Sequence, residues 1–450
     1  MKSLHEACFS IVLTACFAGI ACTPSDRRPS NPPGPQAGPS GDTVTVFMTG
    51  NVLGTLQPCG CSSGQLGGLD RRGAVLATAP ADRRLVLDTG NLLADDGPQD
   101  MIKLGIILQA MAMLQYDVVN LTPADFAAVS NVGLIEGSAF SVITPGEETA
   151  GVKAAWSKQY QVARRPLTAT VVSARAESLD LNSLRSLFKR ADGVLRLNIL
   201  IIDNCSDDVA ARLETLDMLD VVVCPTAADE PRIVDKERRK PLLVSVGRLG
   251  KYVARLTAQP TDDGALRLTF DKIAVDETLP RDENLVQLYK DYQLMVKEER
   301  LLEGYSRVPL PNGLKYLGNE SCRSCHDYEY EKWSTKRHAH AYETLVKVGS
   351  QYDPECVRCH VVGFGCESGF ISEESPKDLR DVGCEVCHGP GSDHLNALTT
   401  GRTDTGIAEP QAKCIDCHSP EHSPGYQGHE DEFMRKIVHW REPEAAGDVK

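Results

Sequence analysis

Residues 44–61 read VTVFMTGNVLGTLQPCGC, a short apolar run followed by a loop of small and polar residues. An apolar run of this length, bounded by glycine and turn residues, is typical of a buried β-strand. The loop carries Cys59 and Cys61, and four further glycines follow by Gly73. The strand therefore ends in a segment whose side chains can do chemistry, as loops at strand ends often do.

Further apolar runs alternate with helical patterns as far as residue 277. This order predicts an α/β layered domain with a mostly buried sheet, over residues 43–278. The predicted strands are Val44–Met48, Leu85–Asp88, Val118–Leu121, Thr168–Ser173, Leu197–Ile202, Val221–Val223 and Leu242–Val246, with Tyr252–Ala258 and Leu266–Ile273 as a closing antiparallel pair, and the predicted helices include Gln99–Gln115 and Asp207–Leu216.

The rest of the chain divides by composition. Residues 282–302 have apolar side chains at helical spacing, which predicts a helix packed on a domain within a connecting segment, 279–315. From residue 316 to 450 the apolar runs shorten while Cys and His become frequent. Residues 23–42 are rich in Pro, Gly and Ser and predict an extended linker.

The N-terminus predicts export. Lys2 precedes an apolar run from about residue 7 to residue 21, which is too short for a membrane span and fits a secretory signal, residues 1–22. The sequences ending at Cys16 and Cys22 both resemble the lipidation site of bacterial lipoproteins. We expect a lipoprotein, with Cys22 preferred because it leaves a longer apolar segment; a plain cleaved signal is the alternative.

Bulk composition limits the function classes. A 42% hydrophobic and 24% charged chain is typical of a globular protein rather than a disordered one. The net charge of −14 argues against nucleic acid as the main partner. Sixteen cysteines are many for a reducing cytosol, in agreement with an exported chain.

Four segments after residue 316 share the pattern Cys-x-x-Cys-His, the signature of c-type haem attachment. Two thiols at this spacing reach the two vinyl groups of one porphyrin, and the adjacent His becomes the proximal iron ligand. Zinc held by Cys-x-x-Cys pairs is the competing interpretation, but zinc does not require a His after every pair. The four segments are Cys322–Cys325–His326, Cys356–Cys359–His360, Cys384–Cys387–His388 and Cys414–Cys417–His418.

Other histidines could supply the second axial ligand of each iron. His338 and His340 are two residues apart in a predicted helix and point in different directions, so one haem takes only one of them. His394 follows a Gly-Pro-Gly turn, and His439 lies near the C-terminus, whereas a Pro- and Gly-rich loop predicts exposed positions for the remaining two, His422 and His429.

Residues 316–440 as a whole resemble the tetrahaem cytochrome c-554 family. The resemblance implies a mainly α, haem-packed domain in which His338 caps the fourth haem, His394 the first and His439 the third. The second haem, held by His360, would then be five-coordinate or weakly ligated. The matching stretches are YLGNESCRSCH, EKWSTKRHAHAYETL, DPECVRCHVVGFGCESGF and VGCEVCHGPGSDH.

Residues 44–258 are similar to bacterial 5′-nucleotidases of the UshA-like metallophosphatase group. The stretches that carry this resemblance are TVFMTGNVLG, LVLDTGNLL, LQYDVVNLTPADF, VVVCPTA and LLVSVGRLGKYVARL. The resemblance implies an α/β/β/α sandwich, but side chains unable to replace the metal ligands stand at the ligand positions. We therefore expect no phosphatase activity; the altered positions are Asn51, Leu53, Asn91, Pro123, Ala124 and Cys224–Pro225.

The cysteines of the first half leave three interpretations open. Cys59 or Cys61 could form a disulfide with Cys205 or Cys224 or remain a buried thiol; the two could be a redox-active pair; or they could bind a soft metal. In the second half, Cys366 is expected to be a buried single cysteine.

These features predict an exported cytochrome that transfers electrons through four covalent haems, with a phosphatase-like domain for docking or thiol chemistry. The alternatives are a reductase of a small nitrogen or sulfur compound at the His360 haem and a thiol oxidoreductase at Cys59 and Cys61. Expected partners are redox proteins or quinol-linked donors, with a membrane reached through a lipid anchor in the periplasm or at the outer membrane.

Overall fold

A computed structural model describes residues 42–58, 64–132, 138–146, 152–188, 194–238, 240–403, 407, 410 and 413–440. The predicted signal and lipidation cysteines, all but the last residue of the linker, and the thiols of Cys59 and Cys61 lie outside these residues. The described residues form one compact unit.

The first half contains two six-stranded mixed sheets. In chain order, strands β1 to β12 are Val44–Thr49, Arg84–Asp88, Val118–Asn120, Ser141–Ile143, Ala155–Val162, Arg165–Ala174, Leu195–Ile202, Val221–Val223, Arg232–Ile233, Leu242–Ser245, Tyr252–Pro260 and Leu266–Ala274. The first sheet has the order β12-β11-β1-β2-β3-β4, with β1 to β4 parallel and β11 antiparallel to β1 and β12. The second sheet has the order β5-β6-β7-β8-β10-β9.

Alternation along the strands sorts side chains into layers. Val46 and Met48 of β1 pack with Val171 and Ile199 of the second sheet, so one apolar core lies between the sheets. Phe47 points to the other face of its sheet, into a cluster with helices Pro98–Met113 and Glu283–Glu298. Helices Leu181–Leu187 and Asp207–Glu214 cover the outer face of the second sheet. The predicted α/β/β/α sandwich is confirmed.

Three strands, β4, β5 and β9, were not predicted from the sequence. β4 and β9 have three and two residues, too few to show a periodicity. β5 reads AWSKQYQV and pairs with β6 at the edge of its sheet, so polar residues dilute its apolar alternation. Sequence alone therefore locates the inner strands better than the edges.

The connecting segment contains the predicted helix, which runs over Glu283–Glu298. Asp282 caps it by accepting a hydrogen bond from the Asn284 amide. Leu285, Leu288 and Tyr292 are buried against the first half. The helix thus belongs to the outer layer of the sandwich while leading into the second half.

The disulfide considered between Cys59 or Cys61 and Cys205 or Cys224 is not formed. Cys205 and Cys224 are joined to each other by a disulfide, so neither is available to Cys59 or Cys61. The bond connects the segment after β7 to the residue after β8. Cys366 is a free thiol as expected, but it is half-buried rather than buried.

The second half consists of short helices around a small apolar cluster that includes Tyr342, Val357 and Phe370. Such a core is small for its length, as expected where cofactors supply buried surface. Within the described ranges, no helix is long and apolar enough to cross a membrane. The α-helices here are Leu301–Gly304, Asn319–Arg323, Asp327–Ser334, Ala341–Val348, Pro354–Val357, Cys384–His388, Ser392–Thr400 and Glu430–Ile437; those of the first half not yet named are Leu69–Leu76 and Pro123–Val132.

Candidate functional site

Each of the four Cys-x-x-Cys-His segments forms a helical turn. The His326 amide donates to the Cys322 carbonyl at 3.0 Å, and the His418 amide donates to the Cys414 carbonyl at 2.8 Å. Side chains three residues apart on a helical turn share one face, so each pair of thiols points the same way. All eight of these cysteines are free thiols at least partly accessible to solvent, which is the arrangement that thioether attachment needs.

Three of the motif histidines face a second imidazole from a distant part of the chain. The ring centroids are 6.3 Å apart for His326 and His394, 6.3 Å for His418 and His338, and 6.4 Å for His388 and His439. Metal–imidazole bonds are about 2 Å long, so two rings on opposite sides of one ion have centroids about 6 Å apart. The side chains present therefore fit an iron held between each pair.

His360 differs from the other motif histidines. No imidazole of the described residues is paired with His360 at a comparable ring spacing. Its Nδ1 lies 2.7 Å from the Ala341 carbonyl oxygen. The structure thus brings together three of the expected axial pairs and leaves the motif His of the second segment without one.

The other histidines have different surroundings. His340 is exposed, and its Nε2 lies 3.1 Å from the Ser334 carbonyl oxygen, which separates it from its neighbour His338. His422 and His429 are exposed, as expected from their loop.

Neighbouring oxygen atoms orient several of the rings. Nδ1 of His418 lies 2.8 Å from the Ser423 hydroxyl, and Nδ1 of His439 lies 3.0 Å from the Ile437 carbonyl oxygen. Metal-binding histidines commonly use one ring nitrogen for such a partner and leave the other for the metal.

Burial keeps these imidazoles neutral. It lowers the pKa of His338, His360, His388 and His418 below the ordinary value of histidine. Only a neutral imidazole has the lone pair that binds a metal. The environment therefore favours the ligand form at neutral pH.

The attachment segments lie close to one another. The thiols of Cys322 and Cys384 interact, as do those of Cys359 and Cys417, and Cys387 interacts electrostatically with Cys414. The third segment is therefore near both the first and the fourth.

Glu385, inside the third motif, is a buried carboxylate that organises the first. It accepts hydrogen bonds from the amides of Leu317 and Gly318, which precede the first motif, at 2.7–3.0 Å. It also accepts one at 2.7 Å from Gly391, in the turn that leads to His394. One side chain therefore fixes both the segment that leads to the first motif and the turn that leads to His394. Sequence reasoning missed this role because the partners are distant in the chain.

Two loops of the first half meet where β1 and β2 end. Asn51 and Asn91 follow the adjacent parallel strands β1 and β2, and the Asn91 side-chain amide donates to the Asn51 side-chain oxygen at 2.8 Å. Asn51, Leu53 and Asn91 have φ of 50°, 50° and 57°, a region that leucine rarely adopts. Among the described residues, no three His, Cys, Asp or Glu side chains are grouped as metal ligands.

Beneath these loops lies a buried polar network. The Thr49 hydroxyl donates to Asp88 at 2.6 Å and also contacts the Tyr116 hydroxyl, which accepts from Arg72. Burial raises the pKa of Asp88 to about 6. The Asp88 carboxyl group, at the end of β2, therefore already has hydrogen-bond donors within the protein.

Helices of the first half hold the second attachment segment. Gln99 donates to one oxygen of Asp353 at 2.8 Å and Tyr292 donates to the other at 2.8 Å. Lys103, whose side chain is 6% exposed, forms an ion pair with Glu355 at 2.5 Å. Asp353 in turn accepts from the Glu355 amide and caps the helix that carries Cys356.

A second contact joins the two halves near the fourth motif. The Gln65 amide donates to the carbonyl oxygens of Glu421 and His422, at 3.1 and 3.2 Å. Both carbonyls come shortly after His418, the last residue of that motif. The loop that begins after Cys61 is therefore anchored beside the fourth attachment segment.

Comparisons with known proteins support the interpretation of the second half. Residues 321–389 match the family model of cytochrome c554 and c-prime. The chain is 38% identical over 91 residues to cytochrome c-554 of Nitrosomonas europaea, covering 17% of this chain and 39% of that protein. The resemblance to the cytochrome c-554 family is thus confirmed in this region, although the chain spans well under half of the relative's length.

Solved structures similar to this chain include a 5′-nucleotidase, a calcineurin-like phosphoesterase and a sulfate thiohydrolase. The 5′-nucleotidase precursor of Thermus thermophilus has a TM-score of 0.46 and 16% identity, covering 59% of this chain and 61% of that one. The calcineurin-like phosphoesterase YfkN of Bacillus subtilis has a TM-score of 0.43 and 13% identity, covering 58% and 99%. The sulfate thiohydrolase SoxB of Thermus thermophilus has a TM-score of 0.46 and 14% identity, covering 58% and 62%.

Proposed function

We propose that this chain, whose residues 321–389 match the cytochrome c554 family, is an exported electron-transfer protein with four covalent c-type haems. The observation that carries the proposal is the set of three imidazole pairs, each joining a motif histidine to a distant one at 6.3–6.4 Å. The four attachment motifs, whose thiols lie close to one another, also support it. Redox proteins or quinol-linked donors are the expected partners.

Haem c supplies reversible one-electron chemistry when bound, and the chain's own residues decide how it is used. The motif thiols would hold the macrocycle covalently, and the paired imidazoles would bind the iron. Filled axial positions favour electron transfer over substrate binding. Burial of the rings limits solvent access, a known influence on potential.

The alternative enzymatic function is located at His360. An axial position without a second imidazole can accept a small molecule, so the second site is the candidate for reduction of a nitrogen or sulfur compound. The observation that favours this alternative is the difference between His360 and the three paired histidines.

Thiol chemistry at Cys59 and Cys61 is the other alternative. Its support is the hydrogen bonding of Gln65, four residues after Cys61, to backbone carbonyls beside the fourth motif. Oxidation of two thiols to a disulfide releases two electrons and two protons, and the electrons would be accepted one at a time. A Cys59→Ser variant that still accepts electrons from a dithiol as fast as the unmodified protein would exclude this role.

The phosphatase-like half is proposed to be non-hydrolytic. Asn91 donates a side-chain hydrogen bond to Asn51, whose own amide donates to the Gly247 carbonyl oxygen. Two-metal hydrolysis depends on charged ligands at such positions. We expect no release of phosphate from a nucleotide or aryl phosphate in the presence of added divalent metal. Metal-dependent hydrolysis that disappears in an Asn91→Ala variant would overturn this proposal.

Intact-mass analysis tests the haem proposal. The full chain, matured in a host with haem-attachment machinery, should carry the mass of four haems. Replacing both thiols of one motif, as in Cys414→Ser with Cys417→Ser, should remove one haem mass. Zinc in place of haem would overturn the proposal.

A further inference from the structure

The first half of the chain contacts the second attachment segment through buried polar side chains rather than through a loose surface. Asp353 is 5% exposed and is held by Gln99 and Tyr292, which come from the two outer helices of the sandwich. A buried carboxylate with partners on both oxygens has a fixed orientation. Because Asp353 also caps the helix of Cys356, its orientation fixes that helix.

A second set of hydrogen bonds in the same contact leads to the motif histidine, His360. Gln293 is buried, and its amide donates to the Val348 carbonyl oxygen at 3.1 Å and to the Ser350 hydroxyl at 2.8 Å. These acceptors lie at the end of helix Ala341–Val348. At the other end of that helix, the Ala341 carbonyl oxygen lies 2.7 Å from Nδ1 of His360. The connecting helix thus supports the element that orients the His360 ring.

The contact also carries charge. Lys103 brings a nearly buried ammonium group to Glu355, the residue directly before Cys356. Asp100, one turn earlier on the helix of Lys103, and Asp353 add two further carboxylates. Because the Lys103 side chain is nearly buried, solvent screens its charge less than that of an exposed lysine.

We infer that the phosphatase-like half positions and electrostatically tunes the second attachment segment, residues 353–360. This inference rests on the proposed haem function, and it assigns a task to a fold whose binding loops no longer carry metal ligands. Lys103 and Glu355 are positioning residues that act through this segment. The positive charge stabilises the reduced form of the group held there, whereas the carboxylate stabilises the oxidised form.

Spectroelectrochemical titration of the full-length holoprotein tests the inference. The quantity measured is the midpoint potential of the haem site that contains His360. Lys103→Met should shift this potential downward, and Glu355→Gln should shift it upward, while the three imidazole-paired sites shift less. Lys347→Met is the matched control, because Lys347 forms an exposed ion pair with Glu343 on a helix of the same half as the haems. Its effect on the His360 site should be smaller than that of Lys103→Met.

The use of two charge variants keeps the test valid if the Lys103→Met variant fails to fold. Glu355 is 60% exposed, so its amide variant is expected to fold and load normally. Equal potentials in wild type and Glu355→Gln, or shifts of the same sign in both charge variants, would overturn the inference with the cytochrome function intact. A wild-type protein without haem would instead overturn the proposed function itself.

Discussion

At the scale of single residues, side chains with partners far away in the chain define the second half. Glu385 satisfies three backbone amides around the first axial pair, and Asp353 joins two helices of the first half to the second motif. Sequence spacing identified the eight thiols and four motif histidines, because that pattern is local. It gave no signal for Glu385 or Asp353, whose partners come together only in the fold.

Glu385→Gln should destabilise the protein. The substitution keeps one oxygen but turns an NH₂ group toward backbone amides, leaving buried donors unsatisfied at about 1–3 kcal/mol. Urea unfolding of the holoprotein measures the loss, with Glu374→Gln as the control because Glu374 is exposed. Equal unfolding midpoints for the two variants would contradict the role of Glu385.

Asp88 should contribute to the pH dependence of stability. Its pKa is about 6 in the folded chain, above the ordinary value of 3.8, so the folded state binds the proton more tightly than the unfolded state. The contribution is fully present below pH 4 and is lost as the pH rises through about 6, by about 3 kcal/mol. The difference in unfolding free energy between wild type and Asp88→Asn should follow this course; a difference that does not change between pH 4 and 7 would contradict it.

At the scale of elements, the sequence predicted the inner strands well and the edges poorly. β8 begins and ends where its apolar run does, whereas β6 extends three residues before the predicted start. β5 was missed because its alternating polar face is open at the sheet edge. Asn51 and Asn91 follow the ends of β1 and β2, as the apolar runs before them predicted, but the hydrogen bond between them could be seen only in the fold.

The Cys205–Cys224 disulfide should stabilise the second sheet. It closes a loop with a sequence separation of 19, and a crosslink of this size contributes about 3 kcal/mol by restricting the unfolded chain. Replacement of both cysteines by serine should lower the unfolding free energy by about that amount without loss of haem mass. An unchanged unfolding free energy would show that the bond contributes nothing in solution.

At the scale of the whole molecule, two halves with different chemistry form one compact unit. The first half contributes rigid helices, and their buried polar contacts converge on the second attachment segment. The second half has a small apolar cluster and four attachment motifs that lie close to one another. Composition indicated this division from residue 316 onward, but the contacts between the halves, such as Lys103 with Glu355, have no local sequence signal.

The structure also explains why the histidine pairs could not be predicted from spacing in the sequence alone. His394 and His326 are far apart in sequence, and His338 and His340 could not be separated by position; only the family resemblance implied the pairs. The ring spacings place His338, not His340, opposite His418. A His340→Ala variant should therefore leave every axial pair intact.

Electron paramagnetic resonance of the oxidised full-length protein tests the central claim most directly. Three irons held between imidazole pairs should be low-spin, and the iron at His360 should be high-spin and accept nitric oxide after reduction. His338→Ala should convert one low-spin signal to high-spin, whereas His340→Ala should not. Four low-spin irons inert to nitric oxide would contradict the open site, and spectra without low-spin iron would contradict the imidazole pairs.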